Sequence, residues 1–186
     1  LLKIDQSFVR DMLDDPEDLA ILEGVLGLAK AFRRQAIAEG VETIEHGEML
    51  LKLGCELAQG YVIARPMPAE AVPDWLARWQ TPPNWANVGE IGRDDAPALF
   101  AGVEHRHWLA MLESLLRDER TALPVDHHEC RFGQWLNGEG RQRYGGSAEF
   151  AALVELHETV HQGARELIAL HGAGQAAAAL DGLAEL

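Results

Sequence analysis

The chain has 186 residues, of which 47% are hydrophobic, and its formal net charge at pH 7 is −14. A hydrophobic fraction of this size supports folded cores and argues against a disordered chain. The negative charge is evenly divided, because residues 1–90 and residues 91–186 each contain 8 Lys or Arg and 15 Asp or Glu. Neither half has the basic surface that a phosphate backbone requires, so we expect no nucleic-acid partner.

The sequence also predicts the compartment. No apolar run approaches the roughly 20 residues of a membrane helix, and no signal peptide is visible, so we expect no membrane segment. The two cysteines are too few for a disulfide framework, which favours a reducing cytoplasm. The first residue is a leucine inside a predicted strand, which indicates a fragment of a longer protein.

Residues 1–79 are predicted to alternate strands with helices. Strands are expected in the sequences LLKID, QAIAEG and AQGYVIARP, at residues 1–5, 35–40 and 58–66. Helices are expected after Asp15, where acidic residues fill the first turn, and after Thr43, which can cap a helix. A last helix is expected at residues 68–79. Alternation at this spacing predicts a parallel sheet and an α/β fold.

The second half is predicted to be helical. Residues 80–97 are rich in proline, glycine and asparagine and are predicted to be a linker. Beyond them we expect no strand, but four helices, at residues 99–116, 129–136, 147–171 and 173–183. Residues 138–146 are predicted as a glycine-rich turn region. The pattern predicts an all-α bundle over residues 98–186.

Functional side chains follow each predicted strand of the first half. They are Lys3 and Asp5, then Glu39 and Glu42, then Gln59. Chemistry in parallel α/β folds collects at these strand ends, where a lysine can hold a phosphate and carboxylates can hold hard divalent metals. Charges of ordinary solvated loops are the alternative on spacing alone.

The segments LLKIDQSFV, AIAEGVET and LGCELAQGYVIARPMP resemble the last third of an EAL domain. That family is a modified TIM barrel that hydrolyses the bacterial messenger c-di-GMP to linear pGpG with two Mg²⁺ or Mn²⁺ ions. The resemblance implies that Lys3 positions the attacking water or phosphate, that Glu39 is a carboxylate at the metal centre, and that Gln59 orients the water or a metal-bound group. It implies supporting roles for Glu42 and Asp5.

Several motifs of the EAL family do not occur in the chain. The Glu-Ala-Leu motif, the asparagine and glutamate after it, and the paired metal-binding aspartates are missing, and we expect them to lie before Leu1. Metal catalysis needs those ligands in one cavity, so we predict that this chain alone is inactive and that its parent is a phosphodiesterase. Cys55, in the segment LGCELA, is predicted to be a small core residue.

The second half contains a candidate zinc site. Zinc bound for structure takes four Cys or His ligands in a tetrahedron. His157 and His161 are four residues apart, which places them on one helix face, while Cys130 and His105 are single donors elsewhere. On spacing alone, core histidines bonded to backbone acceptors and an inert buried thiol remain an alternative.

The segments HRHW, HHECRFGQWLNGEG, YGG and HETVH resemble a CZB domain, the chemoreceptor zinc-binding module, over about residues 98–186. In that family a four-helix bundle binds zinc, and the resemblance implies the ligands His105, Cys130, His157 and His161. It also implies a homodimer and the sensing of zinc or of oxidants such as hypochlorous acid. Four protein ligands leave no position for water, so the expected role is regulatory or structural.

The remaining histidines and aromatic residues are given ordinary roles. His127 and His128 are predicted to be surface groups or neighbours of the ligands. Solvated positions are predicted for His46, His107 and His171. The bundle core is predicted to contain Trp108, Phe132 and Trp135.

The hypothesis for the whole chain is a c-di-GMP signalling fragment, with an EAL-type phosphodiesterase remnant controlled by a zinc-sensing CZB domain. The alternative is a non-enzymatic regulatory protein whose degenerate EAL part is a c-di-GMP receptor or a dimerisation surface. A nucleophile–base pair of Cys130 with a histidine is disfavoured, since no oxyanion-hole signature accompanies it.

Overall fold

The computed structural model describes residues 1–119 and 122–186. The chain divides into two compact units, Leu1–Gly92 and Arg93–Leu186. The first unit is α/β and the second is helical, which confirms the predicted fold class. No helix in the described part of the chain is long and apolar enough to cross a bilayer.

The first unit contains a three-stranded parallel sheet in the order β1, β2, β3. The strands are β1 (Leu2–Ile4), β2 (Ala36–Glu39) and β3 (Leu57–Gln59). The register pairs Lys3 with Ile37 and Glu39 with Gln59. In a parallel sheet all three carboxyl ends lie at one edge, so this register brings the ends of the strands side by side.

Four helices accompany the sheet: α1 (Gln6–Asp11), α2 (Pro16–Ala31), α3 (Ile44–Lys52) and α4 (Val72–Arg78). The predicted Thr43 cap is confirmed, since its side chain accepts the N–H of His46 at 3.1 Å, and Asp15 caps the predicted helix after it by accepting the N–H of Glu17 at 2.8 Å. The short α1 was not predicted. The unit's core consists of buried apolar side chains: Ile4, Val9, Met12, Leu19, Leu22, Ala29, Ala38, Val41, Leu50 and Cys55.

The third strand is much shorter than the predicted strand at residues 58–66. It ends at Gln59 because the carbonyl of Gly60 accepts the N–H groups of both Ile63 and Ala64, which closes a turn. Gly60 also lies directly against Val41, where an added Cβ would come within 2.0 Å of the Val41 carbonyl oxygen. The prediction of strand beyond Gln59 is therefore wrong.

Part of the predicted linker packs on the first unit. The indole N–H of Trp85 donates to the carbonyl of Ile44 at 2.8 Å, and the N–H of Ile91 donates to the carbonyl of Lys52 at 2.8 Å. The Lys30 ammonium donates to Glu90 at 2.8 Å. The boundaries predicted for the two domains and the linker stay predictions.

The second unit contains α5 (Ala96–Leu116), α6 (Arg131–Asn137), α7 (Glu139–Tyr144), α8 (Ala148–Gly172) and α9 (Ala176–Leu183). No strand occurs in its described residues, 93–119 and 122–186. The turn region predicted at residues 138–146 is wrong for residues 139–144, which form α7. Gly140 allows this helix to contact the Trp135 ring, from which an added Cβ would be 2.8 Å.

Two apolar clusters form the core of the second unit. One joins α5, α8 and α9 through Leu112, Leu115, Leu116, Ala164, Leu167 and Ala179. The other joins α6 to the start of α8 through Phe132, Trp135, Leu136 and Phe150. These clusters fix α5, α6 and α8, the three helices that present the predicted zinc ligands.

Candidate functional sites

The four predicted zinc ligands converge in the second unit. His105 lies on α5, Cys130 is the N-cap residue of α6, and His157 and His161 lie one turn apart on α8. One donor atom from each residue lies within 4.8 Å of the other three. His157 and His161 are only 6% and 2% exposed, whereas His105 and Cys130 are half-buried.

The hydrogen bonds of two histidines determine which ring nitrogen is available to a metal. His105 Nδ1 lies 2.7 Å from the Ala101 carbonyl, and His161 Nδ1 lies 3.2 Å from the Val125 carbonyl. A carbonyl can only accept, so each Nδ1 carries the proton and each Nε2 has a free lone pair. Both Nε2 atoms are buried, and neither has a hydrogen-bond partner in the part of the chain that is described.

Burial keeps the two histidines of α8 neutral. It lowers the pKa of His157 to about 4, with a smaller contribution from the neighbouring His161. Burial also lowers the pKa of His161, which the Val125 carbonyl partly opposes. Neutral imidazole is the form that binds metal, so these two rings are in the required state at physiological pH.

Cys130, at the start of α6, lies beside the imidazoles of α8. Cys130 Sγ accepts the N–H of Gly133 at 3.1 Å and lies 3.2 Å from His157 Nε2. Burial raises the pKa of the Cys130 thiol, although the Gly133 N–H acts in the opposite direction. A cation at the centre of the cluster would favour the thiolate, which is the form that ligates metal.

These features fit a zinc ion. Three imidazoles and one thiolate form a His₃Cys donor set of the kind that zinc takes in closed tetrahedral sites. The buried Nε2 atoms of His105 and His161 have no hydrogen-bond partner among the described residues, and a bound metal ion would satisfy both of them. Because the protein supplies four ligands, the cluster suits a regulatory or structural metal better than a hydrolytic one.

The backbone groups around the cluster were not predicted from the sequence. Gly133 lies so close to the preceding loop that an added Cβ would be 1.7 Å from the His127 carbonyl oxygen. The carbonyls of Ala101 and Val125 set the ring tautomers. Only Gly133 left a sequence signal, as the glycine three residues after Cys130.

The predicted exposure of the other aromatic residues and histidines agrees only in part with the structure. Phe132 and Trp135 are buried at 5% and 7% exposure, as predicted for core residues. His46 was predicted to be solvated and is buried at 7%, because it lies on the face of α3 that carries Gly47 and Leu50.

Two further histidines complete this comparison. His107 is exposed, as predicted. His171 is only partly exposed, at 18% of its side chain, and its Nε2 lies 3.3 Å from an oxygen of the exposed Asp118. Cys55 is 3% exposed and packs in the core as predicted.

The three residues predicted to be catalytic meet at the carboxyl edge of the sheet. Glu39 Oε1 forms an ion pair with the Lys3 ammonium and accepts the Gln59 amide N–H at 3.0 Å. The two supporting residues are placed differently. Asp5 caps α1 by accepting the Ser7 N–H at 2.9 Å, a bond that lowers the pKa of Asp5, and Glu42 is exposed.

This edge of the sheet is not a complete metal site by itself. Within the described residues, no group of three metal-ligating side chains converges there, and the Lys3 ammonium already pairs with Glu39 Oε1. A divalent metal ion at this edge would therefore need further oxygen ligands.

Comparison with known families identifies both units. The EAL domain profile matches residues 1–66, and the chemoreceptor zinc-binding domain profile matches residues 105–168. Residues 1–66 therefore belong to the EAL domain family, and residues 105–168 form a chemoreceptor zinc-binding domain. This finding confirms both resemblances that the sequence motifs indicated.

Individual relatives match the first unit. The chain is 43% identical over 76 residues to the oxygen sensor protein DosP of Escherichia coli, which is 41% of this chain and 10% of that protein. It is 40% identical over 76 residues to the cyclic di-GMP phosphodiesterase RocR of Pseudomonas aeruginosa, which is 41% of this chain and 19% of that protein. The chain thus spans less than a fifth of the length of these relatives.

A solved structure titled PaMucR phosphodiesterase, c-di-GMP complex, is 41% identical to the chain. The match covers 38% of this chain and 29% of that one, with a TM-score of 0.37.

Proposed function

We propose that the chain is part of a bacterial c-di-GMP signalling protein in which a zinc-binding domain controls an EAL-type phosphodiesterase. The observation that carries the proposal is the convergence of His105, Cys130, His157 and His161 on the same chain as an EAL segment. The input is zinc, or an oxidant that reacts with the Cys130 thiolate.

In the zinc-binding domain the four ligands would connect three helices through one metal ion. The metal would join α5, α6 and α8, and it would supply the positive charge that a buried thiolate needs. Its loss or the oxidation of Cys130 would release one helix from the others. That change is the signal that we propose to be passed to the EAL domain, in a homodimer of the parent protein.

In the EAL domain the strand-end residues take the roles of the family. Lys3 would position the attacking water or a phosphate oxygen, Glu39 would be a carboxylate ligand at the metal centre, and Gln59 would orient the water. Asp5 and Glu42 would support them. Mg²⁺ or Mn²⁺ would supply Lewis-acid activation of the water and of the phosphate when bound.

Lys3 and Gln59 share one partner, the Glu39 carboxylate. Both contact Glu39 Oε1, so together they fix the orientation of this carboxylate. This retained trio favours a phosphodiesterase over the alternative of a degenerate EAL domain that only binds c-di-GMP. Ligands outside the described residues would have to complete the site.

The test is the zinc content of the purified, desalted chain, measured by elemental mass spectrometry. We expect close to one zinc per chain in the natural sequence and its loss or strong weakening in the variant Cys130→Ser. The matched control is Cys55→Ser, which changes the other cysteine, a core residue far from the cluster in sequence, and should keep the zinc.

Absence of zinc after purification in metal-replete medium would contradict the proposal, as would full zinc content in Cys130→Ser. A second measurement addresses control of the enzyme. In the full-length parent, c-di-GMP turnover should change between the zinc-loaded and zinc-depleted states, and Cys130→Ser should remove this difference.

A further inference from the structure

Three consecutive residues just before Cys130 carry metal-binding side chains that the zinc cluster does not use. They are Asp126, His127 and His128, and one donor atom of each lies within 4.8 Å of the other two. Asp126 and His128 are exposed, whereas only 19% of the His127 side chain is exposed. The three residues form a partly open group, which we call the outer triad.

His127 has a buried nitrogen without a partner. Its Nδ1 is inaccessible to solvent, and no described residue forms a hydrogen bond with it. The nearest carboxylate oxygen, Asp126 Oδ1, is 3.9 Å away, which is too far for a hydrogen bond. Two ligands of one tetrahedral zinc ion lie about 3.4 Å apart, so a small approach of Asp126 would seat an ion between these atoms.

The charges around the triad favour a cation. Asp126 Oδ1 accepts the His128 N–H at 2.8 Å, and this bond lowers the pKa of Asp126 and keeps it ionised. On the other side of the ring, a Glu158 oxygen lies 3.9 Å from His127 Nε2. The Asn137 amide donates to His128 Nδ1 at 3.2 Å, so a metal that binds this ring through Nδ1 would replace that hydrogen bond. A cation at the triad is therefore attracted by two carboxylates.

We propose that Asp126, His127 and His128 form a second zinc site, distinct from the four-residue cluster. Two imidazoles and a carboxylate are ligands that zinc accepts, and three protein ligands leave a position for water. The outer triad lacks a thiolate and is partly open to solvent. It therefore binds zinc more weakly than the four-residue cluster and exchanges it faster.

The outer triad is adjacent to the four-residue cluster. The His127 ring centroid is 6.1 Å from that of His157 and 6.3 Å from that of His161. The His127 carbonyl oxygen is 3.6 Å from Cys130 Sγ. Only the His127 ring would thus separate an ion in the outer triad from His157 and His161.

Cobalt distinguishes the two sites in the full chain. Co²⁺ bound to the Cys130 thiolate gives an intense thiolate-to-metal charge-transfer band, whereas Co²⁺ in the outer triad cannot. We expect the first equivalent to produce this band and a second equivalent to bind, by equilibrium dialysis, without increasing it. Titration with Zn²⁺ should likewise show one tight and one weaker equivalent in calorimetry.

The double variant Asp126→Asn, His128→Gln should lose only the second equivalent. Asparagine keeps the oxygen that accepts the His128 N–H, so the loop conformation is preserved. The matched control is His107→Gln, which removes another exposed histidine of the same unit and should keep both equivalents. Cys130→Ser should lose the charge-transfer band and keep the second equivalent.

Two results would overturn the outer site: a single bound equivalent in the natural chain, or a second equivalent that persists in the double variant. The latter would assign the weak binding to other acidic surface groups. Absence of the charge-transfer band in the natural chain would instead contradict the proposed four-ligand cluster. The two proposals therefore fail separately.

Discussion

At the scale of single residues, the geometry around Cys130 depends on a residue that has no side chain. The N–H of Gly133 donates to Cys130 Sγ, and its α-carbon lies against the His127 carbonyl. An added Cβ would also approach His157 Cε1 to 3.1 Å. A glycine is required here for close approach of the backbone, since any side chain would displace both a zinc ligand and the loop before it.

We therefore predict that Gly133→Ala weakens zinc binding by roughly 10- to 100-fold, the range found when groups that orient metal ligands are changed. The measurement is competition for Zn²⁺ with a chromophoric chelator. Gly146→Ala is the matched control, because nothing lies within 4 Å of the added Cβ, and it should bind as the natural chain does. Equal affinities of the two variants would contradict this account of Gly133.

At the scale of elements, α3 combines a standard cap with an unusual contact. The helix begins after the Thr43 cap, and the Trp85 ring packs against it at Gly47. An added Cβ at Gly47 would lie 2.1 Å from Trp85 Cζ2. The Trp85 indole also donates a hydrogen bond to the Ile44 carbonyl, which holds the ring in this position. Because Gly47 has no side chain, it leaves the space in which residues 82–91 pack on this helix.

Replacing a helical glycine by alanine should consequently raise the free energy of unfolding at one position and lower it at another. Gly24→Ala, on an open face of α2 with nothing within 4 Å, should stabilise the chain by about 0.5–1 kcal/mol through helix propensity. Gly47→Ala should destabilise it by about 1–2 kcal/mol, because steric overlap with Trp85 outweighs the same gain. Urea unfolding followed by circular dichroism measures both, and a stabilised Gly47→Ala would contradict the packing described.

At the scale of the whole molecule, the chain consists of two units with separate cores. The first is built on a parallel sheet, and the second on helices that meet at the His₃Cys cluster. A ligand that binds only the folded form stabilises it by RT ln(1 + [L]/Kd), which is about 2.7 kcal/mol at 100 times Kd. Zinc should therefore stabilise one unit selectively.

Removal of zinc should accelerate amide hydrogen exchange in α5, α6 and α8 and leave the strands of the first unit unchanged. Mass spectrometry of peptides from both units, with and without a zinc chelator, measures this. In Cys130→Ser the helices should exchange fast in both conditions. Equal acceleration in the two units would contradict independent stabilisation by the metal.

The sequence by itself determined most of the longer helices and the four residues that converge in the second unit. Asp15, Thr43 and Ser147 mark helix starts because a capping side chain bonds to an N–H two or three residues ahead. The pair His157 and His161 follows from the period of the helix. These features depend on neighbours within about one turn, so the local sequence is sufficient to predict them.

The tertiary structure decided what depends on distant residues. The Val125 carbonyl that fixes the tautomer of His161 is 36 positions away, and Gln59 meets Glu39 across 20 positions through the register of the sheet. His46 is buried because other parts of the chain cover its face of α3. Hydrogen-bond partners and burial are set by packing between elements, which no local pattern specifies.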